Sequence, residues 1–282
     1  TQGLWLKLSP HYTGTMSLCK KYNNKSPLRY PGGKTRACKV LDSIMSAHFN
    51  MKCHDVIISP FFGGGSFEFY IQSKYGSSII ANDKFQPLSN FWNVCKRDKA
   101  TLCTLLRKNR EITKEKFREY RSVVMSKMGT EQAMMYFIIN RCSFSGATLS
   151  GGFSLQASQK RFTASSIDRV ESLDLEAFSM SNLDFADFIP SHKTGLMFLD
   201  PPYYFARKDK NRLYGKDGDM HEAFDHDKLY SLLKDRKNWM MTYNDCSWVR
   251  DKYKDYIVLD EVKWAYGMNK SKKSSELVIV SK

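Results

Sequence analysis

Short apolar runs alternate with longer amphipathic stretches along this chain. Val56-Ile57-Ile58 reads as a buried strand and leads directly into Ser59-Pro60-Phe61-Phe62-Gly63-Gly64-Gly65-Ser66. A second strand is expected over Ser77 to Ala81, ending in Asn82-Asp83. Phe178-Ser179-Met180-Ser181 suggests a third, followed by Asn182-Leu183-Asp184-Phe185. Gly195-Leu196-Met197-Phe198-Leu199 is a continuous apolar strand that closes on Asp200-Pro201-Pro202-Tyr203. Asn238 to Tyr243, Tyr256 to Lys263 and Ser275 to Val280 complete the set. Ala37, Val40, Leu41, Ile44 and Met45 recur at helical spacing, and Pro87 to Arg141 reads as helical. Strands interleaved with helices describe an α/β fold. Residues 1–25 show no period and are expected to be an extension, and Phe205 to Phe224 reads as a long polar loop.

The ends of these strands carry the candidate chemistry. Asp200 stands at the carboxyl end of its strand, where open α/β sheets keep their ligands. Pro201 and Pro202 fix φ and donate no N–H, so the turn is stiff and its carbonyls are free. With the flat face of Tyr203 beside them, they suit a planar group that carries an NH2. The tetrapeptide alone also fits a proline turn that simply ends a strand. Gly63-Gly64-Gly65 lets backbone approach a ligand closely, but the last glycine of a dinucleotide fingerprint would fall on Glu68. Gly32-Gly33-Lys34 before a helix suits a carboxylate. It is no phosphate loop, because Leu28 holds the position of the required first glycine. Asp83 suits a pair of ribose hydroxyls, although an aspartate at a strand end also forms turns. Asp184 reads equally as a ligand to an adenine amine and as a helix N-cap.

Composition narrows the class. The chain has 282 residues, 42% hydrophobic and 13% aromatic, enough for one large domain or a core with an insert. Lys and Arg exceed Asp and Glu by 44 − 29 = 15, which favours a polyanionic partner, nucleic acid ahead of a membrane surface. Many of these charges lie between Lys96 and Arg121, where the ordinary reading is a solvated helix face. No apolar run approaches the roughly 18 residues of a membrane span, and no signal-peptide pattern is present. Seven cysteines without a C-x-x-C pattern argue against a disulfide framework and a zinc site. An intracellular, reducing compartment is expected, the cytoplasm if the source is prokaryotic. His221-Glu222 with His226 misses the zinc-protease spacing, since Asp225 holds the ligand position. No metal is expected.

Pro27-Leu28-Arg29-Tyr30-Pro31-Gly32-Gly33-Lys34, the glycine loop, Asn82-Asp83 and Asp200-Pro201-Pro202-Tyr203, in that order, resemble the Dam-like DNA adenine-N6 methyltransferases. The resemblance runs from about Ser26 to the C-terminus. It implies a Rossmann-like, seven-stranded methyltransferase sheet with an antiparallel C-terminal hairpin and a helical target-recognition insert. Residues 26–95 and 166–282 would form the catalytic domain and 96–165 the insert. It implies S-adenosyl-L-methionine as cofactor, S-adenosyl-L-homocysteine as product, and no metal. The cofactor residues carried over are Tyr30, Gly32, Gly33, Lys34, Pro60, Phe62, Gly63, Gly64, Gly65, Ser66, Asp83, Asp184, Phe185 and Asp200. Lys34 matches the lysine near the methionine carboxylate. Ser59 departs from the family, which often has an acid there. Asn140-Arg141-Cys142-Ser143-Phe144-Ser145-Gly146 resembles the family segment that leads into the DNA-contacting loop, so Arg141, Ser143, Phe144 and Ser145, with Arg207 and Lys208, are the DNA-binding residues expected. Double-stranded DNA is then the partner, with a cognate restriction endonuclease allowed. Asp200, Pro201, Pro202 and Tyr203 would act on a flipped-out adenine. Rival readings are a cytosine-N4 or RNA adenine methyltransferase, and an inactive methyltransferase fold that binds DNA.

Overall fold

The computed structural model describes residues 21–30, 32–51, 56–204, 224–260 and 276–282. Its strands are β1 (Val56–Ser59), β2 (Ser78–Asn82), β3 (Phe178–Ser181), β4 (Leu196–Leu199), β5 (Trp239–Asn244), β6 (Ile257–Leu259) and β7 (Glu276–Val280). Among the described residues they form one seven-stranded sheet in the order β3-β2-β1-β4-β5-β7-β6. All neighbours are parallel except β7, which runs antiparallel to both β5 and β6. This is the Rossmann-like methyltransferase sheet that the sequence leads one to expect, with its antiparallel hairpin.

Burial on both faces explains why β4 and β7 read as continuous apolar runs. On one face, Leu196, Phe198, Met240 and Val278 pack with Leu41 and Met45 of α1 (Cys38–His48) and Phe67 and Ile71 of α2 (Ser66–Tyr75). On the other, Met197, Leu199, Met241 and Ile279 pack with α9 (Phe185–Ser191), α10 (His226–Leu233) and α11 (Ser247–Lys252). The strand order reverses between β1 and β4, which pair through Ile57↔Leu196 and Ile58↔Met197. That reversal opens a crevice at the carboxyl ends of the two strands.

Six α-helices separate β2 from β3, with three short 3-10 turns among them: α3 (Gln86–Arg97), α4 (Lys99–Lys108), α5 (Lys114–Val123), α6 (Gly129–Cys142), α7 (Leu155–Lys160) and α8 (Ala164–Glu171). Every residue from Gln132 to Asn140 in α6 is buried, as befits a helix that is apolar all round. These helices share one core with Ile79, Ala81 and Phe178 of the sheet. The helical region expected over 87–141 consists of four α-helices. Its breaks fall at Asp98, where α3 ends and α4 begins, at Thr113, which caps α5 by accepting from Lys116 N–H, and around Lys127.

Candidate active site

The loop after β1 and the turn after β4 meet side by side, because their strands are neighbours at the reversal. In the first loop, Gly63 and Gly65 have φ of +51° and +65°. A Cβ on Gly65 would lie 2.2 Å from the Phe62 ring, so only glycine fits there. Phe62 is buried beneath the loop against Phe69, Trp92 and Phe178. Tyr30 lies over Gly63 and Gly64. The Trp92 indole N–H holds the Gly63 carbonyl at 3.0 Å. Ser66 opens α2, its hydroxyl accepting from Thr35 at 3.1 Å.

The ends of β1, β2 and β3 are stitched together by Asn82. Its amide donates to the carbonyls of Pro60 and Leu183, and its oxygen accepts from Leu183 N–H. Asp83 accepts from Gly63 N–H and Phe85 N–H, both at 3.0 Å. Burial pushes its carboxyl up to about 6, against the pull of those two donors. Asp184 caps α9 through Ala186 N–H and pairs with Lys84 at 2.7 Å. Burial opposes its charge, but the Lys84 and Ala186 hydrogen bonds outweigh it and hold the carboxyl below its ordinary value. Phe185 packs against Phe61 and Phe224, with ring centroids 5.7 and 4.8 Å away.

The centre of the crevice is a buried ion cluster. Lys34, only 4% exposed, donates from Nζ to Asp200 Oδ2 at 2.8 Å, to the Tyr203 hydroxyl at 3.1 Å and to the Gly32 carbonyl at 3.0 Å. The Gly33 N–H closes the turn onto Tyr30 O, which brings Lys34 round to this position. Asp200 Oδ1 accepts from the Thr242 hydroxyl of β5 at 2.7 Å. Pro201 is buried, and Pro202 and Tyr203 are half-buried beside it. Asn244 clasps the next residue, accepting from Tyr204 N–H and donating to Tyr204 O, while the Tyr204 ring stacks on Trp248 at 4.5 Å. The turn after β4 is therefore held from β5.

Two carboxylates that sequence reasoning missed complete the cluster. Glu276, the first residue of β7, lies 3.7 Å from Lys34 Nζ. Glu68, in the first turn of α2, accepts the Ser59 hydroxyl at 2.6 Å. Ser59 is the position where the family often has an acid, and here a glutamate from the adjoining helix stands directly behind it. Burial pushes Glu68 up to about 7, opposed first by the Ser59 hydrogen bond. Burial also pushes Glu276 up to about 7, with Lys34 opposing. Lys34 responds in kind: burial works against its charge, yet Asp200 and Glu276 raise it above the ordinary lysine value. Both glutamates left a signal in the sequence. Glu68 is a lone charge between two aromatic residues, Phe67-Glu68-Phe69, and Glu276 is the one charge of its strand, at the head of Leu277-Val278-Ile279-Val280.

A family model described as D12 class N6 adenine-specific DNA methyltransferase matches residues 30–268. The chain belongs to this family. It is an adenine-specific DNA methyltransferase, and the fold that the resemblance implied is the fold observed. No curated protein matches the chain. The family implies S-adenosylmethionine as donor and DNA as substrate in general terms. Among the described residues no group of three His, Cys, Asp or Glu is placed to hold a metal ion, and no helix is long and apolar enough to cross a membrane.

The methyltransferase's expected DNA-binding residues divide. Arg141 turns inward: Nη1 donates to Pro27 O at 3.0 Å and Nε to Arg161 O at 2.7 Å. Ser143 is buried, donating to Asn140 O and accepting from Thr148 N–H. Asn140 and Arg29 N–H and O form a reciprocal pair, so this segment anchors the strand of chain that carries Tyr30 and Lys34. Phe144 points outward and is 69% exposed, and Ser145 beside it has φ of +53°. Arg207 and Lys208 lie outside the described residues. Of the basic side chains between Lys96 and Arg121, several are already engaged. Lys96 donates to Phe178 O, Lys99 to Leu173 O, and Arg107 pairs with Asp168 and Glu171.

Proposed function

We propose that the methyltransferase takes its methyl group from S-adenosyl-L-methionine and places it on N6 of an adenine extruded from duplex DNA into the β1/β4 crevice. The single observation that carries this reading is the ion cluster at the strand reversal. Three carboxylates, Asp200, Glu276 and Glu68, surround one ammonium, Lys34. A site with that surplus of acid fits a ligand that brings its own positive charge, and the donor carries two, a sulfonium and an α-ammonium. The glycine loop of Gly63, Gly64 and Gly65 supplies backbone without side chains beside it. Tyr30, Gly32, Gly33, Lys34, Pro60, Phe62, Ser66, Asp83, Asp184 and Phe185 are the further residues proposed to hold the donor, Asp83 at the ribose and Asp184 with Phe185 at the adenine ring.

When bound, the donor supplies a methyl group already activated for attack by a neutral amine. The protein's share is positioning. Asp200 and the Pro201 carbonyl accept hydrogen bonds from the target amine, Pro202 stiffens the turn, and Tyr203 stacks on the base. Extrusion costs a few kcal/mol, and stacking on Tyr203 offsets about 1–3 kcal/mol of it. The helices spanning 96–165 are proposed to face the DNA, with Phe144 as the side chain best placed to enter the stack.

The test is incubation with methyl-labelled S-adenosylmethionine and mixed-sequence duplex DNA, then digestion and identification of the labelled nucleoside. N6-methyladenine is expected. Label in cytosine, or only in RNA offered in competition, would overturn the reading.

A further inference from the structure

We propose that Glu276 is a positioning residue, the second acceptor that takes the Lys34 ammonium when the target amine takes its place on Asp200. This rests on the reading above that Asp200 receives the amine.

The donors of Lys34 are fully used: Asp200 Oδ2, the Tyr203 hydroxyl and the Gly32 carbonyl accept all three. The other oxygen of Asp200 is occupied by Thr242. The cluster is thus closed around an ammonium that stands where the substrate's nitrogen has to go. A buried ammonium cannot surrender a carboxylate without a new one, because an unpaired buried charge is strongly destabilising. Glu276 provides the replacement. It is 3% exposed, its Oε2 lies 3.7 Å from the same Nζ, beyond ordinary hydrogen-bond length, and Lys34 and the Tyr203 hydroxyl hold its carboxyl down against burial. A shift of about 1 Å brings that pair to an ordinary charge-assisted hydrogen-bond length. Burying a carboxylate is costly, and the rest of β7 is apolar, so packing does not account for a glutamate here.

The groups facing Glu276 are Lys34 ahead of α1, Asp200 and Tyr203 after β4, and the uncharged Asn244, its partner on β5. Glu68 on α2 acts on the same Lys34 and Asp200. With its carboxyl pushed up to about 7, Glu276 is protonated below that pH and ionised above it. It can receive the ammonium only in the ionised state.

The experiment is steady-state methylation of duplex DNA between pH 6 and 9 by the wild type, Glu276→Gln and Glu276→Asp, with thermal melting to show that each variant is folded. The wild-type kcat should rise about tenfold between pH 6 and 8, as one ionisation near 7 requires. Glu276→Gln should lose that inflection and run roughly 10–100-fold slower, with KM for the donor changed by less than about threefold. Glu276→Asp, which keeps an ionisable acceptor, should recover the inflection. An unchanged inflection in folded Glu276→Gln would assign it to Glu68 and overturn the proposal. A variant that loses donor affinity while keeping kcat would make Glu276 a donor contact instead. A folded wild type that labels no adenine at any pH would remove the reading on which the proposal stands.

Discussion

The crevice at the strand reversal and the 140–153 loop of the helical region use polar residues in opposite ways. In the crevice, Lys34, Asp200, Glu276 and Glu68 are packed together with more acid than base, and Glu276 stands 3.7 Å from Lys34, beyond ordinary hydrogen-bond length. In the loop, the buried charge is spent on backbone. Arg29 donates to the carbonyls of Arg141 and Ser143, and Arg141 donates to those of Pro27 and Arg161. Burial pulls Arg141 down to about 10, so it remains charged at neutral pH. The loop is tied to backbone and presents an aromatic side chain outward; the crevice gathers three carboxylates around one ammonium. The one region holds stored electrostatic demand, the other a rigid mount. Gly146 shows how rigid, since its φ is +71° and a Cβ would lie 2.8 Å from Arg29 Cβ.

The sharpest way to break the contrast is at the glycine loop. Gly65→Leu places a side chain at positive φ into the Phe62 ring and should cost at least about 1–3 kcal/mol of stability. It should also abolish donor binding, read by melting temperature and calorimetric titration. Next is Tyr203→Ala, expected to lower turnover by about 10–100-fold through loss of roughly 1–3 kcal/mol of stacking, with donor affinity changed far less. Phe144→Ala should leave melting temperature and donor binding unaltered, since the ring is exposed. It should weaken DNA binding by roughly tenfold, measured by fluorescence anisotropy, within the range of one lost stacking contact.

The smallest effect concerns Glu68. Its folded-state carboxyl lies near 7, above the roughly 4.3 of an unfolded glutamate, so the native state binds more protons between those values. Stability contributed by this group is therefore present at low pH and is lost as pH rises from about 4 to about 7. Glu68→Gln should flatten the fall of melting temperature across that window. An unchanged slope would mean that Ser59 and Lys34 already neutralise the cost.

The fold was legible because the central strands β1, β4 and β5 are largely buried and read as apolar runs, followed at once by Pro60, Asp200 and Asp245. The strand-end residues of the crevice were legible for the same reason, since a polar group that follows a buried strand has few places to go. What the sequence concealed is what depends on pairing at a distance. Glu276 meets Lys34 only because β7 inserts between β5 and β6, and no local pattern announces that insertion. Glu68 answers for Ser59 across one turn of helix, a relation that spacing alone does not reveal. Arg141 and Ser143 carry the right residue types for a DNA contact, yet their positions at the end of α6, buried from Gln132 to Asn140, turn them toward the chain itself. Arg207, Lys208 and most of the polar loop they sit on fall outside the described residues.

The central claim is that Asp200 at the end of β4 aligns the adenine amine. The most direct measurement is single-turnover methyl transfer by Asp200→Ala, with DNA and donor binding measured on the same preparation. The account predicts that DNA binding persists while the rate falls by more than about 100-fold, the scale expected when a reacting group loses its alignment. A rate near that of the wild type would contradict it.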